Sequence, residues 1–119
     1  MIDIFIPSYH RPYNLKTVNY FLKIGWNAEN IHVFIDDEAD DSDDYRKVAD
    51  RKGFNLHVFD MKEARERFDY VHRPSKSRRS AGQARNMFYD KAKELGIEFF
   101  IMQDDDTNCY QIKRNGKYL

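Results

Sequence analysis

A second cysteine is missing from this chain. Cys109 stands alone, so it can close no intrachain disulfide and supply no cysteine-based metal site, which fits a reducing compartment. Glycine and proline are scarce, 5 and 3 in 119 residues, and no glycine-rich phosphate loop follows the first apolar segment. That argues against nucleotidyltransferase chemistry. No apolar run approaches the ~20 residues of a membrane span, and the first strand is expected to begin at Ile2, with no room for a leader. A cytoplasmic protein is expected. Net charge is lacking too, because 20 basic and 20 acidic residues cancel, so no global field draws the chain to nucleic acid or lipid.

What is present is enough for a core. Apolar residues make up 41% and aromatics 15%, and this length corresponds to one domain, 1–119, with no solenoid repeat. Ile2, Ile4, Phe5 and Ile6 predict a strand ended by Pro7. Leu15, Val18, Phe21, Leu22 and Ile24 then recur at helical spacing up to Gly25. Ile31, Val33, Phe34 and Ile35 predict a second strand ending at Asp36 and Asp37. An acidic loop follows, with a cap at Asp41 or Ser42, then a helix around Tyr45 to Arg51 stopped by Gly53. Phe54, Leu56, Val58 and Phe59 alternate as a third strand, and Met61 to Phe68 predict a short charged helix.

From Tyr70 to Ser80 apolar periodicity is lost, and Arg73, Pro74, Lys76, Arg78 and Arg79 predict a mobile basic loop. Ser80 is placed to cap a helix from Ala81 to Leu95, with Ala84, Met87, Phe88, Ala92 and Leu95 facing inward and Gly96 ending it. Ile97, Phe99, Phe100, Ile101 and Met102 predict a buried fourth strand. Alternating strands and helices favour an α/β fold with a mostly parallel, doubly wound sheet, whose ligands gather at the carboxyl ends of the strands.

Asp104, Asp105 and Asp106 follow that fourth strand directly. Like charges about 4 Å apart repel by roughly 1 kcal/mol in bulk water and by more beside a core. A bound cation relieves this, and an all-oxygen cluster suits Mg²⁺ or Mn²⁺, which usually hold substrate phosphates as well. In an extended segment Asp104 and Asp106 point the same way and Asp105 the other. His10, His32, His57 and His72 show no metal-ligand spacing, so His32 and His57 read as plain strand residues. Trp26 reads as a packing anchor.

Four motifs in order resemble a known pattern: Ile4 to Arg11 (IFIPSYHR), Phe34 to Asp37 (FIDD), Ala81 to Asn86 (AGQARN) and Gln103 to Asp106 (QDDD). Together they resemble the start of a GT-A glycosyltransferase of the family 2 type, with likeness to the phage and TET-associated glycosyltransferase group. The resemblance spans nearly the whole chain. It implies a three-layer Rossmann-like fold, and a nucleotide-sugar site drawn from Pro7, Ser8, Tyr9, Arg11, Asp36, Asp37, Arg79, Arg85, Asn86, Asp104 and Asp105. It also implies Mn²⁺ or Mg²⁺ as cofactor, with Asp104 and Asp106 matching the family's Asp-x-Asp element. Asp106 is favoured as direct ligand, and a shift of one residue gives that role to Asp105.

The chemistry of these residues agrees with the implied roles. Tyr9 offers a flat ring for a base, Asp36 can accept from a ribose hydroxyl or uracil imide, and Arg85 brings a fixed charge with a donor fork. The resemblance implies a UDP-sugar as donor and leaves the acceptor open, with modified DNA as one candidate.

After Asp106 the sequence TNCYQIKRNGKYL contains no acid, so the expectation is a donor-binding half, apparently truncated, whose acceptor half is absent or lies on a partner chain. A non-catalytic nucleotide-sugar-binding module is the alternative. A phosphoacceptor receiver fits poorly, because the first strand ends in Pro7 and Ser8 where a receiver needs its acidic pair.

Overall fold

The side chains of β1 (Asp3–Pro7) alternate, sending Ile4 and Ile6 to one face and Phe5 to the other, and this alternation sets the layering of the whole domain. The computed structural model describes residues 2–67, 80–107 and 113–118, with the side chains at 65, 67, 80–85, 113, 114, 117 and 118 outside that description. β1, β2 (Ile31–Asp36), β3 (Asn55–Phe59) and β4 (Phe100–Met102) form an all-parallel sheet in the order β3-β2-β1-β4. Helices α1 (Lys16–Lys23) and α2 (Ser42–Lys52) carry Val18, Phe21, Tyr45 and Val48 onto the aliphatic face built from Ile4, Ile6, Ile31, Val33 and Ile35. Helices α3 (Met61–Arg67) and α4 (Ser80–Leu95) carry Met61, Ala64, Phe88 and Ala92 onto the aromatic face of Phe5, Phe34 and Phe59. The result is a three-layer, Rossmann-like α/β fold.

The strand order fixes where a ligand can enter. The chain winds outward from β1 through β2 to β3, then returns to place β4 on the other side of β1. The switch in strand order therefore falls between β1 and β4, and the crevice at such a point is where open parallel sheets bind ligands. Gly53 helps to hold β3 in place. It ends α2 at φ 87°, a left-handed conformation that glycine adopts without strain, and its N–H bonds Ala49 O at 2.7 Å.

Several sequence expectations need correction. The fourth strand is three residues long and lies at the sheet edge, so it is not buried: Phe99, Ile101 and Met102 are exposed, and Phe100 stacks on Phe5 with ring centroids 4.4 Å apart. An apolar run alone does not tell an edge strand from a central one. Leu95 is also exposed, because so short an edge strand gives the last turn of α4 little to pack on. Helix α4 starts at Ser80 itself. Asp41 occupies the N-cap position of α2, but its carboxylate makes no cap hydrogen bond and turns to His10 instead. Residues 70–79 of the expected basic loop, and the inward packing expected of Ala84, lie outside the described residues. Trp26 does anchor, through edge contact with Phe21 and an Nε1–H bond to Ile2 O.

His32 and His57 are more than strand residues. His32 Nε2 lies 3.1 Å from Asp3 Oδ1, and His32 Nδ1 lies 2.8 Å from His57 Nε2, so one row crosses β1, β2 and β3 beneath α4. If His32 donates to the carboxylate through Nε2, its Nδ1 must accept from His57. Burial lowers the affinity of both rings for a proton and pushes His57 down to about 4. Lys113–Arg114 (β5) and Lys117–Tyr118 (β6) form a separate hairpin turned by Asn115 and Gly116, both at positive φ. Among the described residues no helix is long and apolar enough to cross a membrane.

Candidate functional site

Beyond Pro7 the ladder continues briefly, with Ser8 N–H bonding Phe34 O at 2.9 Å and Gln103 N–H bonding Phe5 O at 3.1 Å. These bonds bring the segment after β1 level with the segment after β4, and the carboxylates meet Ser8 and Arg11 there. Ser8 Oγ donates to Asp105 Oδ2 at 2.8 Å, and Arg11 Nη1 donates to Asp105 Oδ1 at 3.0 Å. Each hydroxyl has one proton, so the direction of the neighbouring bonds follows. Ser8 gives its proton to Asp105, hence the Tyr45 hydroxyl gives its own to Ser8 Oγ at 2.7 Å and accepts from Arg11 N–H at 2.8 Å. Tyr45 is fully buried, and burial pushes its hydroxyl up to about 12, so it remains a donor at any physiological pH.

Thr17 secures the same segment from α1. Its Oγ1 donates to Asp104 O and accepts from Thr107 N–H at 2.9 Å, while its own N–H bonds Asp105 O at 3.2 Å. Asp105 and Asp106 therefore sit in a turn, not in an extended segment. The alternation expected of Asp104, Asp105 and Asp106 does not apply. Asp105 is buried, Asp106 is exposed, and oxygens of both approach the same guanidinium nitrogen of Arg11, at 3.0 and 3.8 Å.

Two cavities adjoin at Tyr9. One, of about 280 Å³, is lined by Pro7, Ser8, Tyr9 and Arg11 together with Asp104, Asp105 and Asp106. The other, of about 210 Å³, is lined by Tyr9, His10, Asp36, Glu38, Ala39, Asp40 and Met61. Asp36, one of these lining residues, is buried. Burial pushes its carboxyl up from the ordinary value, while the backbone N–H groups of Glu38 and Ala39 pull it back. His10 holds a left-handed backbone at φ 55°, uncommon for a non-glycine residue, and its Nδ1 lies 3.1 Å from Asp41 Oδ2.

Eight of the residues singled out from the sequence thus line one or other cavity: Pro7, Ser8, Tyr9, Arg11, Asp36, Asp104, Asp105 and Asp106. Asp37 lines neither, and its Oδ1 accepts from Met61 N–H at 3.0 Å, tying the end of β2 to the start of α3. Asn86 is half-buried on α4 and also lines neither cavity. Arg79 and the side chain of Arg85 lie outside the described residues. Thr17 and Tyr45 were not nominated as site residues by the sequence, and His10, set aside there for want of metal-ligand spacing, lies beside Asp40 and Asp41 in the structure. For Thr17 the only signal was a hydroxyl on the apolar face of α1, and for Tyr45 a phenol among aliphatic residues.

Asp105 and Asp106 both face the Arg11 guanidinium, at 3.0 and 3.8 Å. Among the described residues, the group of side chains placed to hold a metal ion is His10, Asp40 and Asp41, each offering one ligand atom, all within 4.8 Å of one another.

A parallel sheet with acids and a basic side chain gathered at its switch point defines a Rossmann-like protein with a site for a polar, charged ligand. The chain belongs to the TET-Associated Glycosyltransferase family, whose model matches residues 2–117. Membership of a glycosyltransferase family implies a nucleotide-sugar donor and an acceptor. No curated protein and no solved structure matches it.

Proposed function

We propose that this chain binds a UDP-sugar together with Mn²⁺ or Mg²⁺ at the carboxyl edge of its sheet and supplies the donor side of a GT-A type sugar transfer. The observation that carries this is the meeting of three distant segments, 7–11, 36–40 and 104–106, in two cavities joined at Tyr9. The Asp36 cavity takes the nucleoside, with the Tyr9 ring against the base and the Asp36 carboxylate accepting from a ribose hydroxyl or the imide N–H. The Asp104–Asp106 cavity takes the diphosphate. A divalent ion bound there supplies neutralising charge to the departing nucleoside diphosphate. Ser8, backed by Tyr45, and Thr17 keep Asp105 in place, so that carboxylate needs little reorganisation when the donor arrives. In the transfer, the bond from the anomeric carbon to the diphosphate oxygen breaks with its electron pair going to that oxygen, an acceptor hydroxyl oxygen bonds the anomeric carbon, and the hydroxyl proton ends on the released diphosphate or in solvent. An acceptor on a modified DNA base follows from the resemblance alone.

Calorimetry with UDP tests this. Binding should require Mn²⁺ or Mg²⁺ and weaken at least tenfold in Asp106→Asn, with Asp41→Asn as the comparison. Loss at Asp41 instead would move the metal to the His10 group, and metal-independent binding would count against the whole assignment. Release of UDP from a UDP-sugar then separates a transferase from a binding module.

A further inference from the structure

Resting on the proposed metal and diphosphate site, we infer that Arg11 is the exchangeable counter-ion of that site. Its guanidinium holds Asp105 and Asp106 when no divalent ion is there, and it leaves them for the donor's diphosphate when one binds. The geometry separates the two halves of the residue. The Arg11 backbone is pinned, because its N–H bonds the Tyr45 hydroxyl at 2.8 Å. Its side chain is about half exposed and, among the described residues, bonded to Asp105 Oδ1 at 3.0 Å, with Asp106 Oδ2 at 3.8 Å. The guanidinium can therefore swing away from the carboxylates by side-chain rotation while the loop stays in place.

Asp105 does not lose its hold when Arg11 departs, since its other oxygen keeps the Ser8 hydroxyl at 2.8 Å. A guanidinium and a divalent ion cannot share the point between Asp105 and Asp106, because like charges that close repel strongly beside a protein core. Arg11 lines the same cavity as the carboxylates, so a displaced guanidinium remains within reach of a diphosphate there, for which its planar donor fork is suited. Metal and nucleotide binding are thereby coupled through one side chain: Arg11 opposes the metal alone and favours the metal with its nucleotide.

The test measures Mn²⁺ alone, by the electron paramagnetic resonance signal of the free ion, and then UDP at saturating Mn²⁺. Wild type, Arg11→Gln, Arg11→Lys and Asp106→Asn are compared. Arg11→Gln should bind Mn²⁺ about tenfold more tightly than wild type and UDP about tenfold more weakly, while Arg11→Lys, which keeps the charge and loses the donor fork, stays near wild type for Mn²⁺ and falls between the two for UDP. Mn²⁺ should also raise the unfolding temperature of Arg11→Gln more than that of wild type, which reads the exchange even if the variant is less stable. Equal or weaker Mn²⁺ binding by Arg11→Gln, with binding still dependent on Asp106, overturns the counter-ion role and leaves the metal site standing. Mn²⁺ binding unaffected by Asp106→Asn overturns the metal site and this inference together.

Discussion

The Tyr45 hydroxyl and Ser8 Oγ lie 2.7 Å apart, joining helix α2 to the loop that leaves β1 and, through Ser8, to Asp105. Because the same hydroxyl accepts from Arg11 N–H, one phenol oxygen fixes both residues that contact the buried carboxylate. Tyr45 contacts no ligand in the proposed arrangement and acts by positioning.

Tyr45→Phe should keep the ring packing and lose both bonds. Leaving Ser8 Oγ and Arg11 N–H without this partner costs on the order of 1–3 kcal/mol. Urea denaturation should show a lower midpoint with an unchanged slope, and UDP should bind more weakly. An unchanged midpoint would mean that water replaces the phenol.

Thr17→Val preserves shape and removes the hydroxyl that joins Asp104 O to Thr107 N–H. The expected loss is again about 1–3 kcal/mol, and it should be local. Hydrogen exchange at the Thr107 amide should quicken while the amides of β1 and β2 remain protected. Uniform loss of protection would instead make Thr17 a general core residue.

The Asp3, His32 and His57 row predicts acid sensitivity. Burial holds His57 down at about 4 against an ordinary 6.5, and His32 is lowered in the same way. The unfolded chain therefore binds more protons over that range, so stability is full above about 6.5 and falls as pH drops towards 4. Unfolding midpoints measured from pH 7.5 to 4 should trace this fall, and His57→Gln should flatten it. A profile identical in the variant would assign the acid limb to other groups.

Much of the fold was legible because apolar periodicity is a local property. Ile4, Phe5 and Ile6, or Val33, Phe34 and Ile35, mark strands wherever they sit, and Gly53 stops its helix at the position expected from sequence. The edge position of β4 was not legible, because Phe99 to Met102 would read the same at the centre of a sheet. The site divides in the same way. The acids after β2 and β4 and the loop after β1 could be nominated, since strand ends are where parallel sheets gather ligands. That Asp37 serves α3 while Asp36 lines a cavity depends on two side chains of the same type pointing in different directions.

The chain's sequence by itself determined the alternation of strands and helices and the placing of carboxylates at strand ends. Both follow from the order of apolar and polar residues over short stretches. Only the tertiary structure decided that Arg11 would meet Asp105 across 94 positions, Tyr45 meet Ser8 across 37, and Thr17 meet Asp104 across 87. Those partnerships depend on β1 lying between β2 and β4, and strand order is set by how whole faces pack together, which no local stretch of residues encodes.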